Sequence, residues 1–149
     1  MKGLVGFAFF LLFLAAFAFV NLQDMANDAG RGGAALDEIL ASAWRPARLG
    51  DSEIPPDTSA YVQFETDGSV SGHGGCNRFF GNFEVEGLRV AISPTGATRM
   101  ACPEPQMSHE FMFMEILEAA TGIVIADGEM SLIDDEGHIM ATLVPSARQ

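Results

Sequence analysis

The feature that most constrains the fold is a series of short segments in which apolar and polar residues alternate, each ended by a turn that contains glycine. Phe83 and Val85 alternate with glutamates before Gly87, and a second alternating segment follows that glycine. Side chains of a β-strand point alternately to its two faces, so this pattern predicts strands with one buried face. Asp67-Gly68 and Asp127-Gly128 are typical of hairpin turns. Strands at intervals of about eight to twelve residues predict a small, mainly β antiparallel domain, which we expect to be barrel-like.

One stretch, residues 105–121, departs from this pattern and has the length and spacing of a helix. Its apolar face comprises Phe113, Ile116, Leu117 and Ala120, and its glutamates, Glu110, Glu115 and Glu118, lie mostly on the other face. Three methionines of this helix could line a ligand groove, but methionine more often fills a core, which is the interpretation we favour for Met107, Met112 and Met114. We therefore expect one α-helix packed on the barrel.

The N-terminus predicts export. Residues 4–20 are apolar apart from one glycine, and Lys2 precedes them. A positive residue before such a run, with none directly after it, orients the chain with its N-terminus inside. The hydrophobic helix expected here is either a signal peptide, with a small-x-small cleavage site at residues 16–18, or an uncleaved anchor of about 26 Å in a membrane core of about 30 Å. The apolar residues that follow position 18 favour the anchor.

Three regions follow from this division. Residues 1–20 are a signal peptide or signal-anchor helix, and residues 36–149 are the folded domain. Residues 21–35 between them lack periodicity and contain three glycines, which is typical of a flexible linker. We expect a periplasmic or other extracytoplasmic domain, held at the inner membrane by residues 4–20 if they are not cleaved.

The charge excludes two classes of partner. The chain of 149 residues has a formal net charge of −12, and from Leu36 onward it has 6 arginines, no lysine and 18 acidic residues. Sequence-independent binding of nucleic acid needs Lys and Arg to replace condensed counterions, so we expect no nucleic-acid partner. A polybasic contact with anionic lipid is excluded for the same reason.

The two cysteines, Cys76 and Cys102, are most simply a disulfide, because exported compartments oxidise thiols. The competing use is a zinc site. Structural zinc sites take four ligands, and the three histidines show no ligand spacing with the cysteines. We therefore expect the disulfide, no metal and no cofactor.

Two segments carry the identity of the chain. Residues 75–81 read GCNRFFG and residues 98–103 read TRMACP. The sequence here resembles the META domain family, also called HslJ-like, whose signature is G-C-N-R-F-x-G after a strand and T-R-M-A-C-P before a helix. The motif residues are Gly75, Asn77, Arg78, Phe79, Gly81, Thr98, Arg99 and Met100. The resemblance extends from about Trp44 to Leu143.

The resemblance implies a small exported β-barrel domain with one helix, and several family members are linked to stress or antibiotic tolerance. No defined enzymatic activity comes with the family. Many members are lipoproteins, whereas this chain has no cysteine near residue 20. The apolar N-terminus would therefore have to replace a lipid anchor.

The motif residues can also be interpreted from their chemistry alone, without the resemblance. The glycines around Cys76 suggest a positive φ or a close approach of two chain segments. Asn77 and Thr98 are typical of side chains that bond loop backbone. Arg78 and Arg99 either pair with local carboxylates, such as those of Glu84, Glu86 and Glu104, or form a small patch that binds an anion.

Three functions remain open at this point. We favour a non-enzymatic envelope domain that supports stress tolerance through contact with an unknown envelope protein or small molecule. The alternative is a disulfide-stapled inhibitor module for a basic envelope hydrolase such as lysozyme, to which an acidic surface is suited. A hydrolase that uses Asp134-Asp135 is the least favoured, because this pair lies in a predicted turn.

Overall fold

A computed structural model describes residue 33 and residues 36–87 and 89–148. Residue 33 and residues 36–41 are helical, and the label α1 is used for residues 36–41. The elements that follow in chain order are β1 (Ala43–Leu49), β2 (Ser52–Glu53), β3 (Tyr61–Phe64), β4 (Ser69–His73), β5 (Arg78–Glu86), β6 (Arg89–Ala97), α2 (Gln106–Ala119), β7 (Gly122–Ala126), β8 (Glu129–Ile133) and β9 (Ile139–Ser146). The predicted mainly β domain with one long helix is confirmed.

The nine strands of the described residues form one antiparallel sheet that closes into a barrel-like ring. Neighbours run in the order β2-β1-β3-β4-β5-β6-β7-β8-β9, and β9 also pairs with β1. Because β9 pairs with β1, these two strands have no unpaired edge where they meet. Edge strands with free backbone groups can pair with other chains, so closure protects the sheet from such pairing. The weakest seam lies between β6 and β7, which share the single register pair Arg89↔Gly122.

The turns are those that the sequence predicts. Gly68, Gly87, Gly128 and Gly137 all have positive φ, between 65° and 85°, a conformation that glycine adopts without steric cost. They connect the hairpins β3–β4, β5–β6, β7–β8 and β8–β9. Between these turns, buried and exposed residues alternate along the strands, so that one face of each strand lies on the common core.

The core lies inside the ring and beneath α2. Its largest fully buried side chains include Trp44, Phe64 and Phe113. The ring of Phe113 on α2 packs edge-on against Phe79 of β5, with 6.3 Å between centroids. Helix α2 contacts β6 and β1, and Met112 and Met114 pack against the core from its flank. Met112 and Met114 thus fill space beside the core, as the sequence predicts.

The predictions for residues 1–20 and 21–35, the signal or anchor helix and the linker, lie outside the described residues. In the part of the chain that the structure describes, no helix combines the length and the apolarity needed to cross a membrane.

Candidate functional site

The predicted disulfide is confirmed and joins the two signature segments. Cys76 lies in the loop before β5, and Cys102 lies in the segment that leads into α2. Their Sγ atoms are 2.04 Å apart and their Cα atoms 6.0 Å apart. Disulfides persist in oxidising compartments, so the bond is typical of an extracytoplasmic protein.

Asn77 joins the same two segments with its side-chain amide, as predicted for this residue type. Its Oδ1 accepts hydrogen bonds from the hydroxyl of Thr98 (2.9 Å) and the backbone N–H of Met100 (2.6 Å). Its Nδ2 donates to the carbonyl of Met100 (3.2 Å) and to Oε1 of Glu110 (2.7 Å). Asn77 is only 5% exposed, and these bonds satisfy both ends of its amide. Thr98 continues the network, since its Oγ1 accepts from the backbone N–H of Arg78.

Glu110 on α2 is the third member of this junction. Its Oε2 accepts hydrogen bonds from the backbone N–H of Cys76 (2.9 Å) and of Asn77 (2.5 Å), while Oε1 accepts from the Asn77 amide. One carboxylate therefore fixes the loop that precedes β5 to the helix. The sequence assigned Glu110 mostly to the polar face, and that assignment is wrong for this residue. It shares an i, i+3, i+7 row with the buried Phe113 and Leu117, and this spacing is the signal that could have identified it.

The electrostatics keep Glu110 ionised. Burial, the largest single influence, raises the pKa of this carboxyl. The hydrogen bonds from the Asn77 side chain, the Asn77 N–H and the Cys76 N–H, together with the nearby His73, outweigh burial and hold the pKa below its usual value. Glu110 is thus a charged acceptor in the folded protein at neutral pH.

Glycines make room for this junction. A Cβ atom at Gly74 would lie 2.5 Å from Cγ of Glu110, closer than real contacts allow. Gly75 has a φ of +120°, which disfavours residues with a side chain. The next motif glycine, Gly81, lies at a register shift between β5 and β6, where a Cβ would be 2.2 Å from the carbonyl oxygen of Ser93. The predicted close approach of chain segments occurs at these positions.

The remaining motif residues separate into core and surface. Phe79 is buried and packs on α2. The side chain of Met100 is 57% exposed, and its backbone supplies the bonds to Asn77. Arg78 and Arg99 are both exposed. Among the described residues, neither guanidinium has a hydrogen-bond or ion-pair partner, including the carboxylates proposed from the sequence.

A groove lies beside the junction on the outer wall of the barrel. Its volume is about 730 Å³, and the strands β1, β3, β4 and β5 form its floor. The residues that line it are Arg45, Thr58, Ser59, Ala60, Tyr61, Ser71, Gly72, His73, Arg78, Phe79, Phe80 and Ser146. None of these described residues is acidic, although the chain as a whole has a net charge of −12.

Of the two motif arginines, Arg78 lines the groove and Arg99 does not. The sequence grouped these two arginines, and the second cation of the groove is instead Arg45 on β1. Arg45 lies far from the motifs along the chain, so no local signal could have identified it. The groove can bind an anion, because two guanidinium groups lie in it without a carboxylate to neutralise them. Over the described part of the chain, no group of three or more His, Cys, Asp and Glu side chains could hold a metal ion.

The comparisons with known proteins agree with this architecture. The model of the META domain family matches residues 37–147. The crystal structure of a DUF4847 family protein from Bacteroides vulgatus ATCC 8482 is similar with a TM-score of 0.57 at 18% identity, covering 76% of this chain and 99% of that chain. An NMR structure of another protein has the same TM-score and identity, covering 73% and 92%. At such identities the likeness shows the fold alone. No curated protein matches the sequence.

Proposed function

The chain belongs to the META domain family, and from this premise we propose that it is an exported, non-enzymatic domain that supports the cell envelope under stress by binding an envelope protein or a small molecule. The observation that carries the proposal is the open groove of about 730 Å³, which is lined by Arg45 and Arg78 and by no acidic residue among those described. A cleft of this size with a few polar groups is the usual form of a binding site.

The chemistry of the junction favours binding over catalysis. The amide of Asn77 is fully hydrogen-bonded, and both carboxylate oxygens of Glu110 accept hydrogen bonds. A general base works best with a pKa near the operating pH, whereas the pKa of Glu110 is lowered from an already acidic value. The two most strongly bonded side chains of the junction therefore act as structural groups, and recognition falls to the groove.

Export is supported by the disulfide between Cys76 and Cys102 and by the apolar residues 4–20. We place the domain in the periplasm or another extracytoplasmic space, with residues 4–20 as its membrane anchor if they are retained. Fusion of alkaline phosphatase to the C-terminus of the full chain tests the location, because that enzyme is active only after export. An inactive fusion made at normal levels would contradict the placement.

The binding role is tested by complementation. In the organism that encodes the chain, deletion of the gene is expected to lower survival under envelope stress, and the full-length wild type to restore it. A double variant Arg45→Gln, Arg78→Gln should fail to restore survival, because it removes both cations of the groove.

The matched control is the double variant Arg48→Gln, Arg89→Gln. It removes the same charge from exposed positions on β1 and β6 that lie outside the groove. It should restore survival like the wild type, with equal protein levels in all strains. If the groove variant also restores survival, the groove is not the functional surface.

A further inference from the structure

Four side chains of the groove form a row across adjacent strands. Register pairs place Tyr61 opposite His73, and His73 opposite Arg78. The register of β1 and β3 pairs Ala43 with Gln63, and its continuation brings Arg45 opposite Tyr61. Adjacent strands lie about 4.7–4.9 Å apart, so the row extends over about 14 Å from β1 to β5.

The row presents donors and positive charge. The ring Nδ1 of His73 accepts a hydrogen bond from the backbone N–H of Gly75 at 3.1 Å, so the neutral ring carries its proton on Nε2 and donates from there. Arg45 donates one N–H to the carbonyl of its neighbour at 3.3 Å, and its other donors have no acceptor among the described residues. The side-chain donors of Arg78 likewise have no acceptor among the described residues. An anion is the complement of such a surface.

Phe80 adds an aromatic platform to one end of the row. Its side chain is 62% exposed although it projects from the middle of a sheet. The register pairs Phe80 with Gly96, and a Cβ on that glycine would lie 2.6 Å from Cζ of the ring. The outer atoms of the ring, Cε1, Cζ and Cε2, therefore lie against the bare backbone of Gly96, and most of the side chain stays exposed. Arg78 lies two residues earlier on the same strand face.

We propose that the groove binds a small anionic ligand with a planar aromatic group next to its charge, such as an aromatic carboxylate, sulfonate or phosphate. Arg78 binds the anion, with Arg45 and His73 further along the row, and the exposed ring of Phe80 stacks on the aromatic group of the ligand. The volume of about 730 Å³ fits one small molecule. This inference rests on the proposed binding role of the groove and adds the chemical class of the ligand.

The probe that tests it is naphthalene-1-sulfonate, titrated into the oxidised, ¹⁵N-labelled full chain and followed by NMR. Amide signals of Ser71, His73, Arg78 and Phe80 should shift together and saturate. Two matched probes separate the parts of the ligand: 1-naphthalenemethanol keeps the ring without the charge, and inorganic sulfate keeps the charge without the ring. Each should bind about tenfold or more weakly than the sulfonate, as the loss of one charge-assisted contact or one stacked ring predicts.

Two pairs of variants locate the contacts. Arg78→Gln should weaken the sulfonate about tenfold or more, whereas Arg89→Gln, an exposed arginine outside the groove, should leave it unchanged. Phe80→Leu keeps an apolar side chain but removes the planar face, and it should weaken both naphthalene probes. Its control is Phe111→Leu on α2, whose side chain is exposed to a similar extent, 66%, outside the groove. Melting temperatures of the variants confirm that each is folded.

The inference is overturned if the sulfonate shifts none of the groove amides, if the neutral naphthalene binds equally well, or if the control variants weaken binding as much as their partners. These outcomes are separable from failure of the proposed function. Survival that depends on Arg45 and Arg78 without binding of the probes refutes only the ligand class. Binding of the probes at the groove without any effect of those arginines on survival refutes the proposed role.

Discussion

Replacement of Glu110 by glutamine should destabilise the folded domain although it changes only one atom of the side chain. The new amide oxygen can take the place of Oε2 and accept from the backbone N–H groups of Cys76 and Asn77. The new NH₂ group then faces Nδ2 of Asn77, so two donors oppose each other. Asn77 cannot turn its amide round, because its oxygen is held by two donors from the segment that contains Met100.

The magnitude follows from these contacts. Glu110→Gln removes one charge-assisted hydrogen bond and makes two others neutral, and each bond to a charged group is worth about 1.5–3 kcal/mol. Because the Glu110 side chain is only half-buried and water can partly replace the lost partner, we expect a loss of about 2–3 kcal/mol in the free energy of unfolding. For a domain of this size the melting temperature would fall by about 8–12 °C.

The effect should depend on pH with a definite sign. Burial raises the pKa of Glu110, but the hydrogen bonds outweigh it and the pKa lies below the ordinary value of 4.5. A carboxyl with a lowered pKa in the folded state stabilises the protein fully above its unfolded pKa, and this stabilisation is lost as the pH falls through the folded pKa. The difference in unfolding free energy between wild type and Glu110→Gln should thus be constant near neutral pH and shrink below about pH 4.5.

The assay is urea unfolding of the oxidised full chain from pH 7 to pH 3, with Glu118→Gln as the matched control. Glu118 lies on the exposed side of the same helix, so its variant carries the same change of charge without the three bonds. It should stay within about 0.5 kcal/mol of the wild type. The reasoning is refuted if the two variants are equally stable, or if the loss caused by Glu110→Gln persists unchanged at pH 3.

Three further predictions concern residues of the two signature segments. The double variant Cys76→Ala, Cys102→Ala should lose about 2–5 kcal/mol of stability, and mass spectrometry of unreduced peptides from the native compartment should find the pair bonded. Gly81→Ala should lose about 1–3 kcal/mol in chemical unfolding, because its Cβ meets the backbone of the neighbouring strand; stability equal to the wild type would contradict the close approach. Asn77→Asp places a second carboxylate against Glu110, so its melting temperature should fall well below the wild type at pH 7 and recover part of the difference at pH 4; a difference independent of pH would count against the geometry.

The fold was largely predictable because it depends on local rules. Alternation and glycine turns indicate strands and hairpins wherever the strand has one apolar face, as β5 and β6 do. The helix was predicted at 105–121 and lies at Gln106–Ala119. Strand β1 was harder to find, since its sequence AWRPARL contains a proline and two arginines. It becomes a strand because β3 and β9 pair with it and close the ring, which no window of sequence encodes.

The site was predictable only in part, because the fold brings together residues that lie far apart in the sequence. The disulfide and the backbone-bonding role of Asn77 follow from residue type and compartment, and both need only one or two positions. Glu110 is separated from Asn77 by 33 residues, and its position depends on how α2 packs against the ring. The groove requires residues from several strands at once, so its cation from β1 could not be paired with Arg78 before the register was known.

The residues of the signature have two different positions in the structure: some hold the loop before β5 in place, and others line the groove. Gly75, Cys76, Asn77 and the TRMACP segment are engaged with one another and with Glu110, so they determine where the loop before β5 lies. That loop presents Arg78 to the groove and fixes His73 through the Gly75 N–H. Phe80, the proposed aromatic platform, occupies the open position x of G-C-N-R-F-x-G. In this chain, the residues of the signature thus hold one wall of the groove in place, and the proposed aromatic contact comes from the position that the signature leaves open.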